Sequence, residues 1–104
     1  RHGGAITSRY LVPDKTHETH AITGGIAVAY ASITSGTLAE PMAKLSADDN
    51  TLLFPIEHPA GKLNLSLTLR DGKNGKELAA AGITRTARMI MKGSIMVPEQ
   101  LMTV

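Results

Sequence analysis

Along residues 63–70, Leu63, Leu65, Leu67 and Leu69 alternate with Asn64, Ser66, Thr68 and Arg70. Successive side chains of a strand point to opposite faces, so this period of two predicts a strand over 62–70 with one buried and one wet face. Asp71-Gly72 and Asn74-Gly75 follow. Both dipeptides supply hairpin-turn conformations, so a return strand is predicted over 77–84. Upstream, 51–56 is a short apolar run that reads as a strand, and Glu57-His58-Pro59-Ala60-Gly61 breaks the pattern after it. Near the start, 6–12 alternates loosely and predicts a strand that Pro13 ends, because proline cannot extend a paired strand. Around Arg85 the pattern stays strand-like and leaves room for a bulge. Lys92-Gly93 predicts a turn, 94–97 a last short strand stopped by Pro98, and the rest a frayed tail. Pro41 argues against a central strand over 38–45, and the polar residues 46–50 read as a loop.

The stretch 16–33 has a different pattern. Asp14 or Thr16 can cap a helix start, since their side-chain oxygens accept an orphan amide hydrogen. The residues Ala21, Ile22, Gly24, Gly25, Ile26, Ala27, Val28, Ala29 and Ala31 make the segment apolar on nearly every face. A helix of that kind is normally enclosed. Its two adjacent glycines cost about 2 kcal/mol of helix propensity against alanine, which close approach of another backbone would offset. Ser35-Gly36-Thr37 reads as the exit turn. The sum is an α+β fold: a mixed, largely antiparallel sheet wrapped around a central Ala/Gly-rich helix, with residues 1–104 as a single partial domain. Five short strands barely cover such a helix, so a partner lobe or further strands are expected.

Composition narrows the chemistry. The chain has one Phe, two Tyr and no Trp, so aromatic stacking is not how it holds a ligand. A net charge of +2 from 11 basic and 9 acidic residues is too weak and dispersed for nucleic acid. Without cysteine there is no disulfide framework, thiolate chemistry or sulfur-ligated metal. The run 21–31 is too short to span a bilayer, and no basic-then-apolar leader opens the chain. The expectation is a cytoplasmic protein with no membrane partner. The start without Met reads as a processed end or a fragment.

Four places can carry chemistry. His17 and His20, three apart on one face of the predicted helix start, can bind a transition metal with a third ligand. His2, His58, Glu18 and Glu57 are loose candidates, but none has diagnostic spacing. The plain alternative is a pair of partly exposed histidines bonded to neighbours, and no metal site is assigned. The same helix start offers unpaired amides and a positive dipole end to a carboxylate beside His17 and Thr19. His58-Pro59-Ala60-Gly61 can aim His58 and nearby amides at a small anion, or can simply connect two strands. Thr84-Arg85-Thr86-Ala87-Arg88 carries two guanidinium groups, which match carboxylates through paired hydrogen bonds. In a strand Arg85 and Arg88 face opposite ways, so they do not clamp one ligand together, and solvated edge residues are the alternative. The lysines are scattered. Met89, Met91, Met96 and Met102 read as core filling. There is no Gly-rich phosphate loop.

Taken in order, His17-Glu18-Thr19-His20-Ala21-Ile22-Thr23-Gly24 with its Ala-rich continuation, His58-Pro59-Ala60-Gly61, and Arg85-Thr86-Ala87-Arg88 with Met91, Gly93 and Val97-Pro98 resemble three blocks of a known family. It is the 2-methylaconitate cis-trans isomerase / 4-oxalomesaconate tautomerase family. The resemblance covers about residues 9–98. It implies the fold of diaminopimelate epimerase, in which two similar lobes wrap mixed sheet around a central helix and the active site lies between them. It also implies proton transfer on unsaturated di- or tricarboxylic acids with no cofactor. On this resemblance the substrate-binding residues are His17, Thr23, Gly24, His58 and Gly61, while Thr19, Arg85 and Arg88 are anion contacts or structural. No catalytic residue is assigned, because the family draws its acid-base groups from the first lobe. The implied partners are a missing N-terminal lobe or companion segment and a small polycarboxylate. Two departures stand out: Ala60 replaces the family's turn serine, and Ser35 replaces a proline at the helix exit. The competing expectations are a non-catalytic acid-binding module that forms a homodimer, and a structural remnant without a ligand.

Overall fold

The computed structural model describes residues 3–45 and 50–102. Most of the predicted 46–50 loop, and His2, lie outside them. The fold is α+β. Strands β1 (Ile6–Thr7), β2 (Thr51–His58), β3 (Gly61–Gly72) and β4 (Gly75–Ile83) form one sheet in the order β1-β2-β3-β4, beside a single long helix, α1 (Ile22–Ile33). β1 runs parallel to β2, while β2–β3 and β3–β4 are antiparallel hairpins. Both hairpins turn through two residues, Pro59-Ala60 between the paired His58 and Gly61, and Lys73-Asn74 between the paired Gly72 and Gly75. Gly61 (φ 144°) and Gly75 (φ 113°) occupy conformations that side chains disfavour, as tight hairpin corners demand.

The leucine alternation of β3 does what its period requires. Leu65 and Leu67 are fully buried with Phe54 and Ile56 of β2, and Ala29 of α1 closes the core over them. The bulge falls not near Arg85 but between Thr68 and Leu69, opposite the extra residue Ala79 of β4. The glycine pair of α1 permits close packing, with side chains rather than backbone. A Cβ on Gly25 would stand 2.7 Å from Leu63 Cδ2, and one on Gly24 would meet the Tyr10 ring. Ser32, buried on the same face as Gly25 and Ala29, returns its hydroxyl to the Val28 carbonyl at 2.8 Å.

Several sequence expectations are corrected. The helix begins at Ile22 rather than near residue 16, and neither Asp14 nor Thr16 caps it: the cap position is Ala21, with no side-chain bond. Residues 12–15 instead form a turn. Val12 N–H donates to the Lys15 carbonyl (2.8 Å), His17 N–H to the Tyr10 carbonyl (2.7 Å), and Leu11 bridges Thr16. Pro-Asp suits the middle of such a turn as well as a helix start, and here the turn wins. The predicted strand 6–12 is paired only over Ile6–Thr7.

The helix is not wrapped. One face meets the sheet, and the other leaves Tyr30 51% exposed and Ile22 37% exposed. The sheet lies along one side of a helix about 10 Å across, chiefly through β3 and β4, and does not encircle it. Finally, 94–97 is not a strand. After Ile83 the chain runs to Pro98 without pairing, every residue exposed, so Met89, Met91 and Met96 fill no core. The radius of gyration is 18.8 Å, against about 13 Å for a compact chain of this length.

Candidate functional site

β3 starts earlier than β4 ends. The last pair of that ladder is Leu65–Ile83, so residues 62–64 have β2 on one side and, among the described residues, no strand on the other. This step in the sheet opens a cleft of about 410 Å³ lined by Thr19, His20, His58, Lys62, Leu63, Asn64, Ile83, Thr84 and Arg85. Three elements build it: the end of the β2–β3 hairpin, the segment leading into α1, and the chain leaving β4. Its lining has two cations, two imidazoles, an amide and two hydroxyls, and no carboxylate. That balance suits an anion with several oxygens.

The histidines are held in distinct ways. His58 is half-buried, and its Nδ1 accepts the Ala60 N–H at 3.3 Å. The same N–H reaches the Glu18 carbonyl at 3.1 Å, tying the hairpin to the segment before the helix. With Nδ1 accepting, a neutral His58 carries its proton on Nε2, ready to donate. His20 is 6% exposed. Its Nδ1 lies 2.9 Å from the Ala21 carbonyl and its Nε2 lies 3.0 Å from the Ser8 hydroxyl. A carbonyl only accepts, so Nδ1 donates there and Nε2 of the neutral ring accepts the hydrogen bond that the Ser8 hydroxyl donates. His20 therefore serves as a fixed wall.

Of the residues that the sequence singles out, Thr19, His20, His58, Thr84 and Arg85 line the cleft. His17 does not line it. Its Nδ1 accepts the Thr19 N–H at 3.0 Å and lies 3.2 Å from the Thr19 hydroxyl, while its ring stands edge-on to Tyr10. Since the helix starts at Ile22, His17 and His20 share no helix face and Thr19 is not at the helix terminus. Among the described residues no three His, Cys, Asp or Glu side chains gather as a metal site. Thr23 is exposed outside the cleft lining, Gly24 packs on Tyr10, Gly61 shapes the hairpin corner, and Arg88 lies out along the exposed chain. Sequence reasoning missed Lys62 and Asn64. Their alternation with Leu63 and Leu65 placed them on the wet face of β3, but only the early end of β4 turns that face into a cleft wall.

Another cavity of about 410 Å³ lies beside β1, lined among others by Gly4, Thr7, Lys44 and Glu57. There the buried Glu57 carboxylate already takes the Gly4 N–H at 2.8 Å and the Thr7 hydroxyl at 3.3 Å. A wall bearing a carboxylate repels an acid, so the cleft at His58 is the better anion site.

A family model described as PrpF protein matches residues 3–98. The chain is similar to the 4-oxalomesaconate tautomerase of Pseudomonas putida, at 30% identity over 95 residues, which is 91% of this chain and 25% of that protein. It is likewise similar to the (4E)-oxalomesaconate Delta-isomerase of Novosphingobium sp., at 33% identity over 97 residues, which is 93% of this chain and 26% of that protein. The chain thus spans about a quarter of the length of the curated relatives it matches. Among the described residues no helix is long and apolar enough to cross a membrane.

Proposed function

Because this chain belongs to the PrpF protein family, we propose that it forms the acid-binding wall of a cofactor-independent isomerase or tautomerase. The substrate class is unsaturated di- or tricarboxylic acids of the methylaconitate or aconitate kind. The observation that carries this reading is the cleft in which Arg85, Lys62 and His58 converge with no carboxylate among the lining residues. Arg85 receives one substrate carboxylate through its guanidinium fork, and Lys62 and the His58 Nε2 hydrogen neutralise a second. Asn64 and Thr84 supply the remaining polar contacts.

The reaction moves one proton along an allylic system. A base removes it from carbon, the double bond shifts, charge gathers on a carboxylate or keto oxygen, and an acid returns a proton to the far carbon. The cationic wall stabilises that charge as it develops. His20, closed on both ring nitrogens, and His58, closed on one, leave the cleft short of a paired base and acid. The remaining acid-base groups come from a companion lobe, in the two-lobed arrangement of diaminopimelate epimerase, and the chain alone does not turn over. The open face of α1 supports the same incompleteness. A chain without cysteine fits a cytoplasmic setting.

Calorimetry of the chain with citrate and cis-aconitate tests the binding half. Binding is expected, and Arg85→Ala and Lys62→Ala should each weaken it about 10-fold or more, the worth of one charged hydrogen bond. No heat with either acid defeats the reading. Proton NMR of cis-aconitate in deuterated water tests the other half: exchange of substrate hydrogens catalysed by the chain alone would show that no companion is needed.

A further inference from the structure

Thr19 lines the cleft with its hydroxyl already engaged. The His17 Nδ1 accepts the Thr19 N–H at 3.0 Å, so that nitrogen carries no hydrogen of its own. The Thr19 hydroxyl oxygen lies 3.2 Å from the same nitrogen. Because Nδ1 is the acceptor there, the hydroxyl is the donor, and its hydrogen points at His17. What the oxygen has left for a ligand is lone pairs. His17 is held firmly enough to fix this choice. It is half-buried, its N–H donates to the Tyr10 carbonyl at 2.7 Å, and its ring stands edge-on to the Tyr10 ring with centroids 6.4 Å apart. Tyr10 in turn packs on Gly24, where a side chain would collide with it.

The walls around Thr19 are of the opposite kind. Arg85 and Lys62 have only hydrogens to give. His58 presents its Nε2 hydrogen, since its Nδ1 is taken by the Ala60 N–H. Both ring nitrogens of His20 are engaged. Asn64 and Thr84 can turn either a donor or an acceptor to a ligand, so they select neither. We propose that Thr19 is a specificity-determining residue whose oxygen accepts the O–H of a hydroxy acid bound in the cleft, and that His17 is the residue that positions it. The inference rests on the acid-binding reading of the cleft and adds which acid is preferred. A polycarboxylate with a hydroxyl satisfies the fixed acceptor. The same acid without it turns a C–H or a carboxylate oxygen toward lone pairs and gains nothing there.

Citrate and tricarballylate differ by one hydroxyl, and calorimetry with both tests the proposal at mildly alkaline pH, where both acids are fully ionised. Citrate is expected to bind about 3- to 10-fold tighter, as one neutral hydrogen bond would provide. Thr19→Val keeps the shape and removes the oxygen, so the two affinities should become equal through loss on the citrate side alone. Thr19→Ser should restore the preference. His17→Phe keeps the ring against Tyr10 but has no acceptor. The Thr19 hydroxyl is then free to donate to a carboxylate, so the preference should fall while tricarballylate binds about 2-fold tighter or more. A merely structural His17 would weaken both acids alike. His17→Asn should bring the preference back, because an asparagine oxygen accepts the N–H two residues on. The urea midpoint of each variant shows that it is folded. Equal binding of the two acids by the unaltered chain overturns the proposal and leaves the acid-binding cleft standing. So does a preference that survives Thr19→Val, or a His17→Phe variant that weakens both acids equally. No heat with either acid removes the cleft reading and this inference with it.

Discussion

Ala60 sits at the corner of the β2–β3 hairpin, where its N–H is shared between the Glu18 carbonyl and the His58 ring. The resemblance seen in the sequence implies a serine at this position. A hydroxyl at this exposed corner adds a donor beside His58 without disturbing the core. Ala60→Ser is therefore expected to tighten citrate binding about 3- to 10-fold, as one neutral hydrogen bond would, read by calorimetry. His20 is a contrasting case. It is buried with both ring nitrogens bonded. His20→Ala leaves the Ser8 hydroxyl and the Ala21 carbonyl without those bonds and should cost about 1–3 kcal/mol, measured by urea unfolding. At this scale the sequence was partly readable. Arg85 and His58 declare themselves by type and by the Pro-Ala-Gly turn beside His58. Lys62 does not, because its place in the cleft depends on where a different strand stops.

At the scale of elements, α1 approaches the sheet through its smallest residues. Gly25→Ala gains about 1 kcal/mol of helix propensity. Its new Cβ, however, would lie 2.7 Å from Leu63 Cδ2, on a helix face packed against the core. Overpacking of that kind costs about 1–3 kcal/mol. The net change is expected to be destabilising, seen as a lower urea midpoint with an unchanged slope. β3 was legible because its period of two reports directly which face is buried. The start of α1 was not, since Pro13-Asp14 fits both a turn and a helix start, and the choice is made by the bridge between Leu11 and Thr16. The strand expected over 94–97 failed for another reason. Local pattern can show that a segment wants to be a strand, but pairing needs a neighbour.

As a whole molecule, the chain is a small sheet and one helix joined to a long exposed arm. Among the described residues seven form the buried apolar core, while the outer face of α1 and the arm remain wet. Such a body should be marginal. The isolated chain is expected to melt below about 45 °C, the lower end of the usual range for small domains. A companion that binds only the folded form should raise that midpoint with its concentration. Scanning calorimetry with and without the companion checks both.

The step where β4 falls short of β3 has one more implication. Continuing the β3–β4 ladder past Leu65–Ile83, through the three residues after Ile83, would erase the hollow that Lys62 and Arg85 line. A bound acid and a completed ladder are thus rivals for the same space. The unfinished rung acts as a doorstop: an acid seated in the gap would keep the chain after Ile83 from closing onto β3.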